Sequence, residues 1–100
     1  MQASVTVAEG RAVIRLQGRF DFNSHRDFRE AVDSALAAQA SAITVDLAGV
    51  EYLDSSALGM LLMLRDRAKS AARDVTLANC RDAVKQILDI ANFGKLFSIV

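Results

Sequence analysis

Three features of this chain could do chemistry: the triplet Asp54-Ser55-Ser56, a single histidine (His25) and a single cysteine (Cys80). The triplet stands directly before Ala57-Leu58-Gly59-Met60-Leu61-Leu62-Met63-Leu64, a run without a charge. Aspartate is a preferred helix N-cap, because its oxygens accept first-turn N–H groups that have no partner inside the helix. Ser55 and Ser56 then fall in the first turn, near the surface and the positive end of the helix dipole. A phosphate is electrostatically tolerated there. The triplet is therefore a candidate site of modification or contact.

The other two features support no catalysis. His25 falls in the first turn of an earlier helix and reads as a surface or capping residue. No His-Ser-acid arrangement forms around Ser55 unless His25 folds close to it. One Cys and one His make no zinc spacing. Gly49 and Gly59 fit neither the Walker nor the dinucleotide fingerprint. Cys80 reads as a small buried residue. The expectation is a protein without enzymatic activity, metal or cofactor.

The frame that must position the triplet is one domain, residues 1–100, with 52% apolar residues to build a core. Twelve basic side chains balance twelve acidic ones, so the charge does not call for nucleic acid. The lone cysteine closes no internal disulfide, as in a reducing compartment. The N-terminus shows no secretory h-region, and the run 57–64 is far short of the ~20 residues of a membrane span. These features predict a cytoplasmic protein, monomeric or weakly dimeric.

Alternation around Val5 and Val7, then around Ile14 and Leu16, with Glu9-Gly10 between them, predicts an antiparallel hairpin. Gly18–Asn23 reads as a loop. Ser24 reads as the cap of a helix reaching about Gln39, with Asp27 three residues on as in a capping box. Ile43, Val45 and Leu47 form a third strand and Ala48–Leu53 a loop. The helix opened by Asp54 runs to Ala71 or Ala72. Val75 and Leu77 mark a fourth strand, and Asn79 caps a third helix containing Val84, Ile87, Leu88 and Ala91. Asn92-Phe93-Gly94 stops that helix, and Phe97 with Ile99 suggests a last short strand. Strands alternating with helices imply parallel pairing behind the hairpin. The fold class is α/β, a mixed four- to five-stranded sheet with three to four helices.

Functional sites of such sheets gather at the carboxyl ends of strands. Three loops, 18–23, 48–55 and 77–81, could meet there, with Asp21 and Asp54 sharing an edge with both serines. Arg65, Lys69 and Arg73 read as a solvated face at the helix end. The all-round apolar run 57–64 reads either as buried on both sides or as an exposed patch for a partner.

Leu47–Leu64, centred on Asp54-Ser55-Ser56-Ala57-Leu58-Gly59, closely resembles the signature of STAS domains of the anti-sigma factor antagonist type. Gly18-Arg19-Phe20-Asp21 lies where that family has its Gly-x-Leu-Asp segment, and the order of elements fits over essentially the full chain. The resemblance implies phosphorylation of Ser55, the first serine after the aspartate. It implies that the unmodified form binds an anti-sigma factor, often itself a serine kinase, and frees a sigma factor, with a phosphatase reversing the modification. Contact with the partner is expected from Asp21, Asn23, Asp54, Ser56, Ala57, Leu58, Met60 and Leu61. Ala57 in place of a common Gly favours the helix, and Arg19 in place of a frequent Glu bears on the partner's identity. The alternative is a constitutive STAS subunit of a lipid ABC transporter, packed on its ATPase.

Overall fold

The alternating segments Gln2–Ala8 (β1) and Arg11–Phe20 (β2) pair antiparallel from Gln2↔Gln17 to Ala8↔Arg11. Glu9 and Gly10, both at positive φ (55° and 78°), form the two-residue turn whose twist matches that of the strands. A computed structural model describes residues 1–100. The chain continues through α1 (His25–Ala37), β3 (Ala42–Leu53), α2 (Ser55–Ser70), β4 (Asp74–Ala78), α3 (Asp82–Ile90) and β5 (Ser98–Ile99). The strands lie in the order β1-β2-β3-β4-β5, with every pair after the hairpin parallel. This is the expected mixed α/β sheet, with five strands, three α-helices and two short 3-10 turns.

Two expected loops are strand instead. β2 continues through Gly18 and Arg19 to Phe20, and Ala48–Leu53 is the second half of β3. Gly49 and Glu51 break the apolar alternation, which is why the segment reads as a loop. The register shows the cause: between Arg15↔Asp46 and Gln17↔Gly49, and again between Gly18↔Val50 and Arg19↔Tyr52, β3 uses one residue more than β2. Such bulges bend the strand without ending it. Gly49 is required at the first one, since a Cβ there would lie 2.8 Å from the Leu16 carbonyl oxygen and from Gln17 Cγ.

Ala12, Ile14, Leu16 and Phe20 of β2 are buried, while Arg11, Arg15, Gln17 and Arg19 between them are exposed. Ile43, Val45, Leu47, Val50 and Leu53 continue this core, with the extra bulge residues keeping Val50 and Leu53 inward. Helix α1 adds Phe28, Ala31, Val32 and Ala35, and α2 adds Ala57, Met60, Leu61, Leu64 and Ala68. Each large side chain so buried contributes about 1.5–3 kcal/mol. The rest of the apolar run is intermediate: Leu58, Leu62 and Met63 are half-buried against the core margin. No leucine or methionine of α2 is fully exposed, so the run is mainly core.

Four local readings are corrected. Ser24 does not pair with Asp27; its hydroxyl joins Asp21, as described below, and α1 ends at Ala37 rather than near Gln39. Asn79 does not cap α3, which begins at Asp82 behind Arg81 without a side-chain cap. Asn79 stands at φ 61° and donates to Asp46 Oδ1 at 3.2 Å. Arg65 and Arg73 are not merely solvated: Arg65 donates to the Leu96 carbonyl (2.9 Å) and Arg73 to the Ala35 carbonyl (3.1 Å), each across more than thirty residues of sequence. Lys69 is exposed as expected.

Candidate binding and modification site

Strands β2 and β3 end together at Phe20↔Leu53. The next residue of β3's path, Asp54, donates its N–H to the Phe20 carbonyl (3.3 Å), so the start of α2 is locked to the end of β2. Its carboxylate is divided between two elements. Oδ1 accepts the Ala57 N–H at 2.9 Å, the N-cap bond expected from the sequence. Oδ2 accepts the Phe22 N–H at 3.2 Å, from the turn that precedes α1. Asp21 and Asp54 thus occupy one edge, because one aspartate braces the loop that carries the other.

Asp21 works within its own turn. Its Oδ1 accepts the Asn23 N–H (3.0 Å), opening the 3-10 turn Phe22–Ser24. Its N–H donates to Ser24 Oγ (3.1 Å), and that hydroxyl donates to the Arg19 carbonyl (3.1 Å). Ser24 is buried, and these bonds satisfy it. Arg19 lies with its guanidinium carbon 4.5 Å from the Tyr52 ring centre and with Nε 3.8 Å from Asp21 Oδ2. Most of that side chain is exposed, so the pairing orients the arginine more than it stabilises the fold.

At this edge Ser55 is exposed and Ser56 half-buried. The Ser55 hydroxyl takes part in none of the hydrogen bonds that hold the turns. Asn23 is exposed beside them, and Leu58 is half-buried one turn into α2. Ala57, Met60 and Leu61, expected as contact residues, are buried at 0%, 3% and 0% exposure. They form the inner face of α2 and leave the accessible surface to other residues. The sequence reading missed two of these. Phe22 (68% exposed) stands edge-on to the His25 ring at 6.1 Å, and Tyr52 is 41% exposed under Arg19. Their signal was an aromatic residue adjoining each aspartate motif, Phe22 just after Asp21 and Tyr52 two before Asp54.

The third loop does not join this group. Asn79 is tied to Asp46, and Arg81 Nε donates to the Ala48 carbonyl at 2.8 Å, bracing the first bulge of β3. Cys80 beside them is half-buried. Burial pushes its thiol above the usual range, a tendency opposed by a backbone hydrogen bond and Lys85 and reinforced by Asp89. No group of three or more His, Cys, Asp or Glu is placed to hold a metal ion, and no helix is long and apolar enough to cross a membrane.

The family model described as "Mlab, STAS domain" matches residues 3–100. The chain belongs to the STAS-domain family. A STAS-domain containing protein of Pseudomonas aeruginosa is 51% identical over 86 residues, spanning 86% of this chain and 84% of that protein. An anti-sigma factor antagonist from Mycobacterium paratuberculosis superposes with a TM-score of 0.86 at 19% identity, over 98% of this chain and 83% of its own. The Bacillus cell fate determinant SpoIIAA in its phosphorylated form superposes with a TM-score of 0.72 at 19% identity, covering 98% and 90%. The STAS fold therefore extends over the whole chain, and the Asp54 edge is part of it.

Proposed function

We propose that this STAS domain is a phosphorylation-switched antagonist of an anti-sigma factor, with Ser55 as the modified residue. The observation that carries this reading is the position of Ser55: exposed, first in α2, and next to an aspartate whose two oxygens are already engaged. A phosphate there adds about −1.5 to −2 charges without removing any bond that holds Asp54. The fold is expected to survive the modification. Two unit charges ~4 Å apart near a surface repel by about 4 kcal/mol at an effective dielectric of 20, and Asp54 adjoins the site. The helix dipole returns only ~0.3–1 kcal/mol. A partner that covers the edge must also strip water from the dianion, at several kcal/mol. Each ~1.4 kcal/mol is tenfold in affinity, so modification releases the partner.

The contact surface in this reading is Asp21, Phe22, Asn23, Tyr52, Ser55, Ser56 and Leu58, with a cognate kinase and phosphatase setting the active fraction. Support for it comes from the antagonists that share the fold and from the phosphorylated Bacillus structure. The test is a binding assay with an anti-sigma factor, comparing wild type, Ser55→Ala and Ser55→Asp, beside an intact mass with and without phosphatase. Binding kept by Ser55→Ala and lost by Ser55→Asp, with a phosphatase-sensitive mass excess of ~80 Da on Ser55, is the expected result. Equal binding by both variants sinks the switch and favours a constitutive subunit, to be sought on an ATPase.

A further inference from the structure

Arg11, Ala42 and Asp74, the first residues of β2, β3 and β4, stand side by side in the sheet, at the end of the strands opposite to the Asp54 edge. A groove of about 760 Å³ opens there, between the last turns of α2 and the start of β4. Its charged lining is Arg11, Arg65, Lys69, Arg73 and Asp74. That is four cations against one carboxylate, in a chain whose charges balance twelve to twelve. Arg11, Lys69 and Arg73 make no ion pair, and Arg65 makes only a long one (3.8 Å) with the exposed Asp66 beside it in sequence. Basic residues near a helix C-terminus complement its dipole, but that effect fades within the last turn. It does not account for Arg65, more than a turn from the end of α2, or for Arg11, which comes from the sheet.

The cations are held apart and in part preset. Arg65 gives Nε to the Leu96 carbonyl (2.9 Å), which fixes its guanidinium and leaves the terminal N–H groups for a ligand. Arg73 gives Nη1 to the Ala35 carbonyl (3.1 Å), so it supplies charge more than donors. Arg11 and Lys69 are exposed. Arg65 and Lys69 stand ~6 Å apart along α2, one turn from each other, so the charges form a row and do not converge on one small anion. Carboxylates on alternate residues of an extended segment have a similar spacing, ~6.6 Å. The lining also includes Ala72, Val75 and Leu96, and Leu96 is 40% exposed. No aromatic residue lines the groove, so nothing there stacks a nucleic-acid base. A groove with apolar lining also suits a single chain better than the flat headgroup layer of a membrane. Glu9, Asp66 and Lys95 lie within two residues of it in sequence but outside its lining, and they leave the excess positive.

We propose that this groove is a docking site for an acidic protein segment, one carrying Asp or Glu along its length with a Leu-like residue among them. Its carboxylates pair with Arg11, Arg65 and Lys69, and its apolar side chain lies on Val75 and Leu96. The Arg65 fork, already oriented by the Leu96 carbonyl, loses less freedom on binding than a mobile side chain does. The site lies at the other end of β3 from Asp54, so it does not depend on modification of Ser55 and goes beyond the switch proposed above.

The test uses the full chain and a fluorescein-labelled Glu-rich peptide with a central Leu. One control peptide carries Lys for every Glu, and another carries Ser for the Leu. The expected results are saturable binding of the Glu peptide, none of the Lys peptide, and several-fold weaker binding without the Leu. Affinity should fall at least tenfold as salt rises from ~0.05 M to ~0.5 M, because exposed charges are screened. Amide NMR shifts should change at Arg11, Lys69, Val75 and Ser98 and stay fixed at Ser55. Arg11→Gln with Lys69→Gln, both at exposed positions, should weaken binding about tenfold and leave the thermal midpoint in place. Ser55→Asp should bind the peptide as the wild type does. Failure to bind at ~1 mM overturns the proposal, as do equal affinities for the Glu and Lys peptides, full binding by the double variant, or loss of binding in Ser55→Asp. Displacement of the labelled peptide by oligothymidylate or phosphatidylglycerol vesicles at lower concentration than by unlabelled peptide also overturns it, in favour of nucleic acid or membrane.

Discussion

The starts of α1 and α2 lie side by side at one edge of the sheet, and an aspartate opens each approach, yet the two are built differently. Asp54 spends one oxygen on its own helix and the other on Phe22, thirty-two residues away in sequence. Asp21 spends its carboxylate on its own turn and an exposed arginine. The α1 side is held instead by Ser24, a buried hydroxyl that both accepts and donates. The same side-chain chemistry is thus a cross-brace in one place and a local cap in the other. Exposure follows from it: the α2 start can leave Ser55 free because Asp54 alone secures the turn.

The largest effect is expected for Asp54→Ala, which removes the cap and the brace together. About 2 kcal/mol, or roughly 10 °C in thermal midpoint, should be lost in a melt followed by circular dichroism. Asp54→Asn sharpens the point: its amide oxygen can keep the cap, but its NH2 cannot accept the Phe22 N–H, so it should cost about 1 kcal/mol, the brace alone. Ser24→Ala comes next at about 1–2 kcal/mol, because it leaves the Asp21 N–H without its acceptor. Asp21→Ala should cost only about 0.5–1 kcal/mol. Arg19→Ala, which loses an exposed contact with Tyr52 and a long ion pair, should stay within about 0.5 kcal/mol. Equal losses for Asp21→Ala and Asp54→Ala in the same denaturant titration would remove the contrast.

Much of the fold was legible because its signals are short-range. The Glu9-Gly10 turn, the alternation in β1 and β2 and the helical spacing of the α1 core positions each depend on residues close in sequence. The errors have one common origin. Ser24, Asn79 and the Ala48–Leu53 segment all carry residues whose local preference is for caps and loops. Each is claimed instead by another partner: Ser24 by Asp21 and Arg19, three and five residues before it, Asn79 by the distant Asp46, and residues 48–53 by β2. The candidate site was legible in its centre and not in its outline. Asp54 and Ser55 follow from capping chemistry, whereas an all-round apolar helix shows no inner face until the sheet beneath it is known. Ala57, Met60 and Leu61 proved to be that inner face, and Phe22 and Tyr52 supplied the exposed aromatic surface.

The chain by itself determined that α2 begins at Asp54, that Ser55 stands in its first turn and that the hairpin turns at Glu9-Gly10, since each rests on contacts among residues at most three or so apart. Only the tertiary structure decided that β3 passes through Gly49 without ending, that Asp54 also holds the turn before α1, and that α1 packs beside β1 at the edge of the sheet. Those features depend on which distant segments meet, and the energy that decides it is burial of a shared core, which no single stretch of sequence contains.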